Sequence, residues 1–176
     1  MSPKSVPIDA HPTPPVTENS AARARDQQLP YKRTRQDMTN PTEMQAKLIE
    51  EFRANDGKVA SFGDGETKLL LLHSIGAKTG RERVTMLIYQ DWGGSWAIFA
   101  SNGGAPSHPA WYHNLIADPN VEVEVGSSKH KAIARVADEA ERQRIWDIQR
   151  AVMPEIDDIA ANSDRVIPVI VLDPAP

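Results

Sequence analysis

Apolar positions along the chain follow two periods, and the switches between them predict the order of elements. In NPTEMQAKLIEEFRANDGK, residues 40–58, Met44, Leu48, Ile49 and Phe52 recur at helical spacing. Asn40 is placed to cap this helix, Pro41 suits its first turn, Glu43 sits where a capping box needs a carboxylate, and Asn55-Asp56-Gly57 ends it. TKLLLLHS (67–74) and RVTMLIYQ (83–90) then read as strands, and Trp92-Gly93-Gly94 as a hairpin leading into SWAIFAS. A short helix is predicted over Ser107–Ala117, with Pro109 in its first turn and Trp111 and Leu115 four apart. VEVEV alternates with period two and HKAIARVA follows as its partner. Asp138 opens another helix, with Glu141 in the capping-box position and Ile145, Ile148 and Val152 on one stripe. The chain closes on VIPVIVL, where Pro168 predicts a sheet edge or a bulge.

Helix, three strands, helix, two strands, helix and strand make an α+β chain that is mainly β. The connections are of hairpin length, so the sheet is expected to be mostly antiparallel, a small closed or split β-barrel flanked by helices. Residues 1–39 are rich in proline, alanine and threonine and lack a buriable apolar period. They are expected to form a flexible, disordered N-terminal tail ahead of one domain at 40–176.

Composition then narrows the chemistry. The chain has 176 residues, enough for one domain with a core. Its net charge of −4 gives no general argument for nucleic acid or an anionic membrane. With no cysteine there is no disulfide framework, thiol nucleophile or thiolate metal site. The N-terminus lacks a secretory apolar region and no run is long enough for stable membrane insertion, so a cytoplasmic location is expected. Oligomeric state is not legible.

Two stretches carry candidate chemistry. GAKTGRERVT, residues 76–85, concentrates glycines and cations between two strands. It is neither a P-loop nor a dinucleotide fingerprint. Its backbone N–H groups are expected to form an anion-holding concavity, with Lys78, Arg81 and Arg83 supplying charge and Thr79 and Thr85 hydroxyls. The alternative is a solvated hairpin tip. In SNGGAPSHPAWYHNL, residues 101–115, Gly103-Gly104 would let the backbone approach a flat ligand, and Trp111 and Tyr112 could cover a ring system. An ordinary glycine turn followed by a core tryptophan is the alternative. His108 and His113 lie about 140° apart on a helix and cannot chelate one ion. His73 reads as a hydrogen-bonded structural histidine, so no metal site is expected.

LLLLHSIGAKTGRERVTMLIY, ASNGGAPSHPAWYHNLIADPNVEVEV and DRVIPVIVLDP, in that order, resemble the deazaflavin-dependent nitroreductase family of actinobacteria. EFRANDGKV ahead of them is similar to that family's N-terminal helix, and the resemblance spans roughly residues 45–174. It implies a split β-barrel that binds coenzyme F420, a deazaflavin with a phospholactyl and oligoglutamate tail, and reduces quinones, nitro compounds or activated double bonds. By the resemblance, Lys78 and Arg83 match phosphate-binding positions, with Thr79, Gly80 and Thr85 in the same loop and Leu87 and Ile88 continuing along the cofactor. Ser101, Asn102, Gly103 and Gly104 match the segment against the deazaflavin ring, and Trp111 and Asn114 the helix that closes its far side. The chain departs from the pattern in two places there. Ala77 replaces an arginine of some members, which is expected either to weaken tail binding or to shift it to Arg81, and Asn102 replaces a lysine.

The resemblance also implies hydride transfer from the reduced deazaflavin to a small-molecule acceptor. Ser101, the Gly103-Gly104 N–H groups and Tyr112 are the candidates for stabilising the developing negative charge. In MPEIDDIAANSDR, Met153, Ile156 and Ile159 stand where the best-known nitroreductase of the family has tyrosines. Their side chains donate no hydrogen bond, which favours an apolar acceptor such as a quinone or enone over a nitro compound. Related barrels hold FMN or haem, so an FMN-dependent oxidoreductase is one alternative. A non-enzymatic carrier of the deazaflavin or of a lipophile is another.

Overall fold

A computed structural model describes residues 41–63 and 65–176. The expected tail at 1–39 and the capping role of Asn40 lie outside them. Helix α1 (Pro41–Ala54) leads into a six-strand barrel built from β1 (Leu69–Ile75), β2 (Glu82–Trp92), β3 (Ser95–Phe99), β4 (Asn120–Val125), β5 (Ser128–Val136) and β6 (Val169–Pro174). Helix α2 (Ala110–Ala117) joins β3 to β4, and α3 (Glu139–Val152) and α4 (Ile156–Ala161) join β5 to β6. Every pairing is antiparallel and the sheet closes in the order β1-β2-β3-β6-β5-β4.

The uninterrupted LLLL of β1 follows from burial on both faces. Leu70 and Leu72 enter the barrel core with Ile98, Val123 and Ile170, whereas Leu69 and Leu71 pack outward with Phe52 of α1. Gly93 and Gly94 both take positive φ, 58° and 92°, as a two-residue hairpin turn requires. Among the described residues no helix is long and apolar enough to cross a membrane.

Three local expectations change. Helix α2 begins at Ala110 rather than Ser107, because a residue before proline is disfavoured in helical geometry and His108 precedes Pro109. On α3, Asp138 accepts from the Glu141 N–H at 2.8 Å as expected. The buried face, however, is Glu141, Ile145, Trp146 and Gln149, and Val152 is 71% exposed. Pro168 marks neither an edge nor a bulge. It lies just ahead of β6, which is paired on both sides with β3 and β5, and its carbonyl accepts from the Ala100 N–H at 2.9 Å.

Candidate functional site

The Gly76–Arg81 loop is closed by its own backbone. Gly76 N–H donates to Arg81 O at 2.8 Å, and the N–H groups of Thr79 and Gly80 both reach Gly76 O, at 3.1 and 2.8 Å. Ala77 N–H donates to Asn114 Oδ1 at 3.0 Å. A Cβ on Gly76 would stand 2.6 Å from Thr79 Oγ1, so the turn excludes any larger residue there. The expected concavity of free N–H groups is therefore absent from this loop, since the N–H groups of Gly76, Ala77, Thr79, Gly80 and Arg81 are already bonded. Its capacity for anions rests on Lys78, Arg81 and Arg83, which are exposed and have no carboxylate partner among the described residues.

Strand register separates the residues that follow. Arg83 stands opposite Ser74, Thr85 opposite Leu72 and Leu87 opposite Leu70, so all three share the barrel-interior face. Ile88 points the other way and packs with Val84 and Met86 against α1. Leu87 and Ile88 therefore cannot both run along one ligand, because neighbouring strand residues face opposite sides.

Helix α2 plugs the mouth of the barrel. Trp111, 7% exposed, and Leu115 join the barrel core, so the Trp111 ring is a core element rather than a free cover for a planar ligand. Asn114 is buried and bridges two elements: its Oδ1 holds Ala77 N–H and its Nδ2 reaches Ser74 Oγ at 3.3 Å. The half-buried Tyr112 lies with its ring centroid 4.5 Å from that of His108 and 5.7 Å from that of His113. Among the described residues no group of three or more His, Cys, Asp or Glu side chains is arranged to hold a metal ion.

Ser101 to Gly104 leave β3 as a single tight turn. Ser101 is right-handed helical (φ −71°, ψ −35°), while Asn102 and Gly103 are left-handed, with φ of 51° and 63°. A right-handed residue followed by a left-handed one turns successive N–H groups toward a common concavity. Gly104 N–H is bonded to Ser101 O at 3.0 Å, but the N–H groups of Ser101, Asn102 and Gly103 have no partner among the described residues. Gly104 is not a point of ligand approach. A Cβ there would meet Ile159 O at 3.1 Å, so this glycine lets α4 pack against the turn.

Sequence reasoning missed the residue that holds this segment, Arg165. Its Nη2 donates to Ala100 O, Ser101 O and Ser107 O at 3.0–3.1 Å. Nε reaches Ala105 O at 3.1 Å and Nη1 reaches His108 Nδ1 at 2.9 Å. Burial, with help from the Arg165 and His113 charges, lowers the His108 pKa. Arg165 follows α4 in a stretch with no helical or strand period, and its partners lie about sixty residues earlier. No local signal exposes such a contact.

Helix α4 is tied to α3 by Asp157, which accepts from Trp146 Nε1 at 2.9 Å and Arg150 Nε at 2.6 Å. Ile156 is 1% exposed and packed among Ile145, Trp146, Ile167 and Val169, so it is core and not pocket wall. Met153 and Ile159 lie half-buried at the edge of the same cluster.

Two cavities of about 350 and 400 Å³ lie elsewhere, one lined by His73, Glu82 and Glu122 and the other by Gly57, Lys68 and Tyr89. Neither is lined by an expected site residue. His73 is structural, as read: its ring nitrogens meet Glu82 Oε1 at 2.7 Å and Glu124 Oε1 at 2.6 Å. Glu124 also receives Arg53 of α1 at 2.9 and 2.5 Å. The Arg53 guanidinium is the main reason its carboxyl falls from 4.5 to about 2.

Comparison with known proteins places these features in context. The profile of the F420H(2)-dependent quinone reductase family matches residues 44–174. An F420H(2)-dependent quinone reductase of Mycobacterium tuberculosis is 36% identical over 124 residues, covering 69% of this chain and 83% of that protein. A putative second one from the same organism is 32% identical, over 60% of this chain and 88% of its own length. Among solved structures, an F420-H2 dependent reductase is 33% identical with a TM-score of 0.55, over 60% of this chain and 93% of that one. A domain-swapped dimer, 29% identical, has a TM-score of 0.58 over 76% of this chain and the whole of its own.

Proposed function

Because the chain belongs to the F420H(2)-dependent quinone reductase family, we propose that it binds the deazaflavin F420 with Lys78, Arg81 and Arg83 on the phosphate and tail carboxylates and the Ser101–Gly103 turn against the ring. It is an oxidoreductase that uses F420H2. The carrying observation is the loop itself: three exposed cations with no carboxylate partner among the described residues, on and just after a turn made rigid by its own hydrogen bonds and by Asn114. A donor set of that kind fits a ligand with several negative charges. When bound, the reduced deazaflavin supplies a hydride to the acceptor.

The chain's own part is orientation and electrostatics. The Gly76–Arg83 cations fix the tail, and Asn114 couples their loop to α2, which lies just downstream of the Ser101–Gly104 segment in the chain. The N–H groups of Ser101, Asn102 and Gly103 meet negative charge as it develops, helped by the Ser101 hydroxyl and by Tyr112. The acceptor is an apolar quinone or enone. Met153 and Ile159 give the site's α4 side apolar surface without a donor, and Ile156 supports them from the core.

Equilibrium binding of oxidised F420 and of FMN to the purified protein tests this. F420 is expected to bind at least tenfold more tightly, because only its tail adds carboxylates for the three cations. Tighter binding of FMN would contradict the assignment.

A further inference from the structure

Behind the Ser101–Gly104 turn lies a guanidinium without a carboxylate partner among the described residues. Arg165 contacts the carbonyl oxygens of Ala100, Ser101, Ala105 and Ser107 and the Nδ1 of His108, all at 2.9–3.1 Å. Its fork thus gathers one loop instead of closing an ion pair. We propose that Arg165 is a positioning residue for the reductase reaction: it binds the turn from its carbonyl side, keeps the three N–H groups of Ser101, Asn102 and Gly103 convergent, and fixes His108 as a neutral donor through Nε2. The inference rests on the assignment of that turn to the cofactor ring.

Three observations support it. The turn places a non-glycine residue, Asn102, at φ 51°, a conformation that asparagine tolerates but that needs surrounding contacts to persist. Those contacts are present, because Asn102 Nδ2 and Arg165 Nη2 both donate to Ser107 O at 3.1 Å. Two donors therefore hold the same carbonyl. The His108 tautomer follows from donor chemistry alone. A guanidinium has no lone pair to offer, so Nδ1 must be the acceptor and the ring proton must reside on Nε2. The His108 ring also lies against that of Tyr112, tilted by 34° with centroids 4.5 Å apart, so the same clamp bears on the position of a candidate hydroxyl. Lysine cannot replace this function, since an ammonium offers three donors from one point and no planar fork.

The test compares Arg165→Lys and Arg165→Gln with wild type. Arg142→Gln serves as a control, because Arg142 also holds a carbonyl, that of Ile167, at 2.8 Å, but touches neither the Ser101–Gly104 turn nor His108. Both Arg165 variants should lose roughly ten- to a hundredfold in kcat, less than the roughly hundred- to thousandfold for outright removal of one preorganised donor, because the N–H groups remain but lose their alignment. Their dissociation constant for F420 should change by less than about threefold, because the Gly76–Arg83 cations still hold the tail. Arg142→Gln should lower Tm and leave kcat unchanged. In cofactor-free protein, nitrogen-detected NMR should find His108 as the Nε2–H tautomer in wild type and as a mixture in Arg165→Gln. If Arg165→Gln does not fold, Arg165→Lys, which keeps the charge, carries both readouts. Unchanged kcat in the Arg165 variants, a loss matched by Arg142→Gln, or an unaltered His108 tautomer overturns the role. Failure of wild type to bind F420 would instead overturn the cofactor site, while the NMR result still decides the clamp.

Discussion

Asn114 Oδ1 accepts a hydrogen bond from the backbone N–H of Ala77 at 3.0 Å, joining the helix that plugs the barrel to the loop that carries Lys78 and Arg81. The same side chain reaches Ser74 Oγ, so one buried amide sets the relative position of β1, the loop and α2. Replacing it with alanine leaves the buried Ser74 hydroxyl and the part-buried Ala77 N–H without this partner, which costs about 1–3 kcal/mol. Asn114→Ala should therefore lower Tm, speed hydrogen exchange at Ala77 and weaken F420 binding without removing a single charge. Exchange at Ala77 that is unchanged, in a folded variant, would contradict the coupling.

The cations themselves make a separate prediction. Lys78→Ala or Arg83→Ala should each weaken F420 binding by roughly ten- to a hundredfold, the range for a charge-assisted hydrogen bond. Because these groups are exposed, wild-type affinity should also fall with ionic strength, and each variant should show a shallower dependence. Titrations at two salt concentrations measure both effects.

Acid should loosen α1. The Glu124 carboxyl, held at about 2 chiefly by Arg53, against 4.5 when unperturbed, favours the folded state above the unperturbed value. That contribution, on the order of 3 kcal/mol, is lost as pH falls from about 4.5 toward 2. Denaturant unfolding between pH 6 and 2.5 should show it. Glu124→Gln should be less stable at pH 6 and lose less stability over the acid range; equal slopes for the two proteins would rule it out.

Substitution at Ile156 now has a different expected outcome from that of a pocket residue. Tyrosine there must enter a packed cluster beside Ile145 and Trp146, and overpacking costs about 1–3 kcal/mol. Ile156→Tyr should lower Tm and leave the ratio of quinone to nitroimidazole reduction unchanged. A large gain in nitro reduction at unchanged Tm would return Ile156 to the pocket wall.

Much of the barrel could be read from the chain because its signals are local. The period-two strands, the Gly93-Gly94 turn and the Asp138–Glu141 cap each depend on neighbours a few residues away. The cationic loop was also visible, as a cluster of residue types. Which donors remain free was not, because Ala77 is engaged by a side chain 37 residues away and Arg165 reaches across about sixty. Gly104 shows a different limit: a glycine that admits a helix backbone looks, in sequence, like one that admits a ligand. Strand alternation already places Leu87 and Ile88 on opposite faces, so they do not line one cofactor together.

The central claim is that this chain uses F420H2 to reduce a quinone at the site formed by the Gly76–Arg83 loop and the Ser101–Gly103 turn. Its most direct test is a single turnover in which protein loaded with F420H2 is mixed anaerobically with a naphthoquinone and the oxidised deazaflavin absorbance is followed. The account predicts rapid, stoichiometric reoxidation that saturates with quinone and is slower with a nitroimidazole. Cofactor that stays bound and reduced in the presence of the quinone would contradict it and leave the protein a deazaflavin carrier.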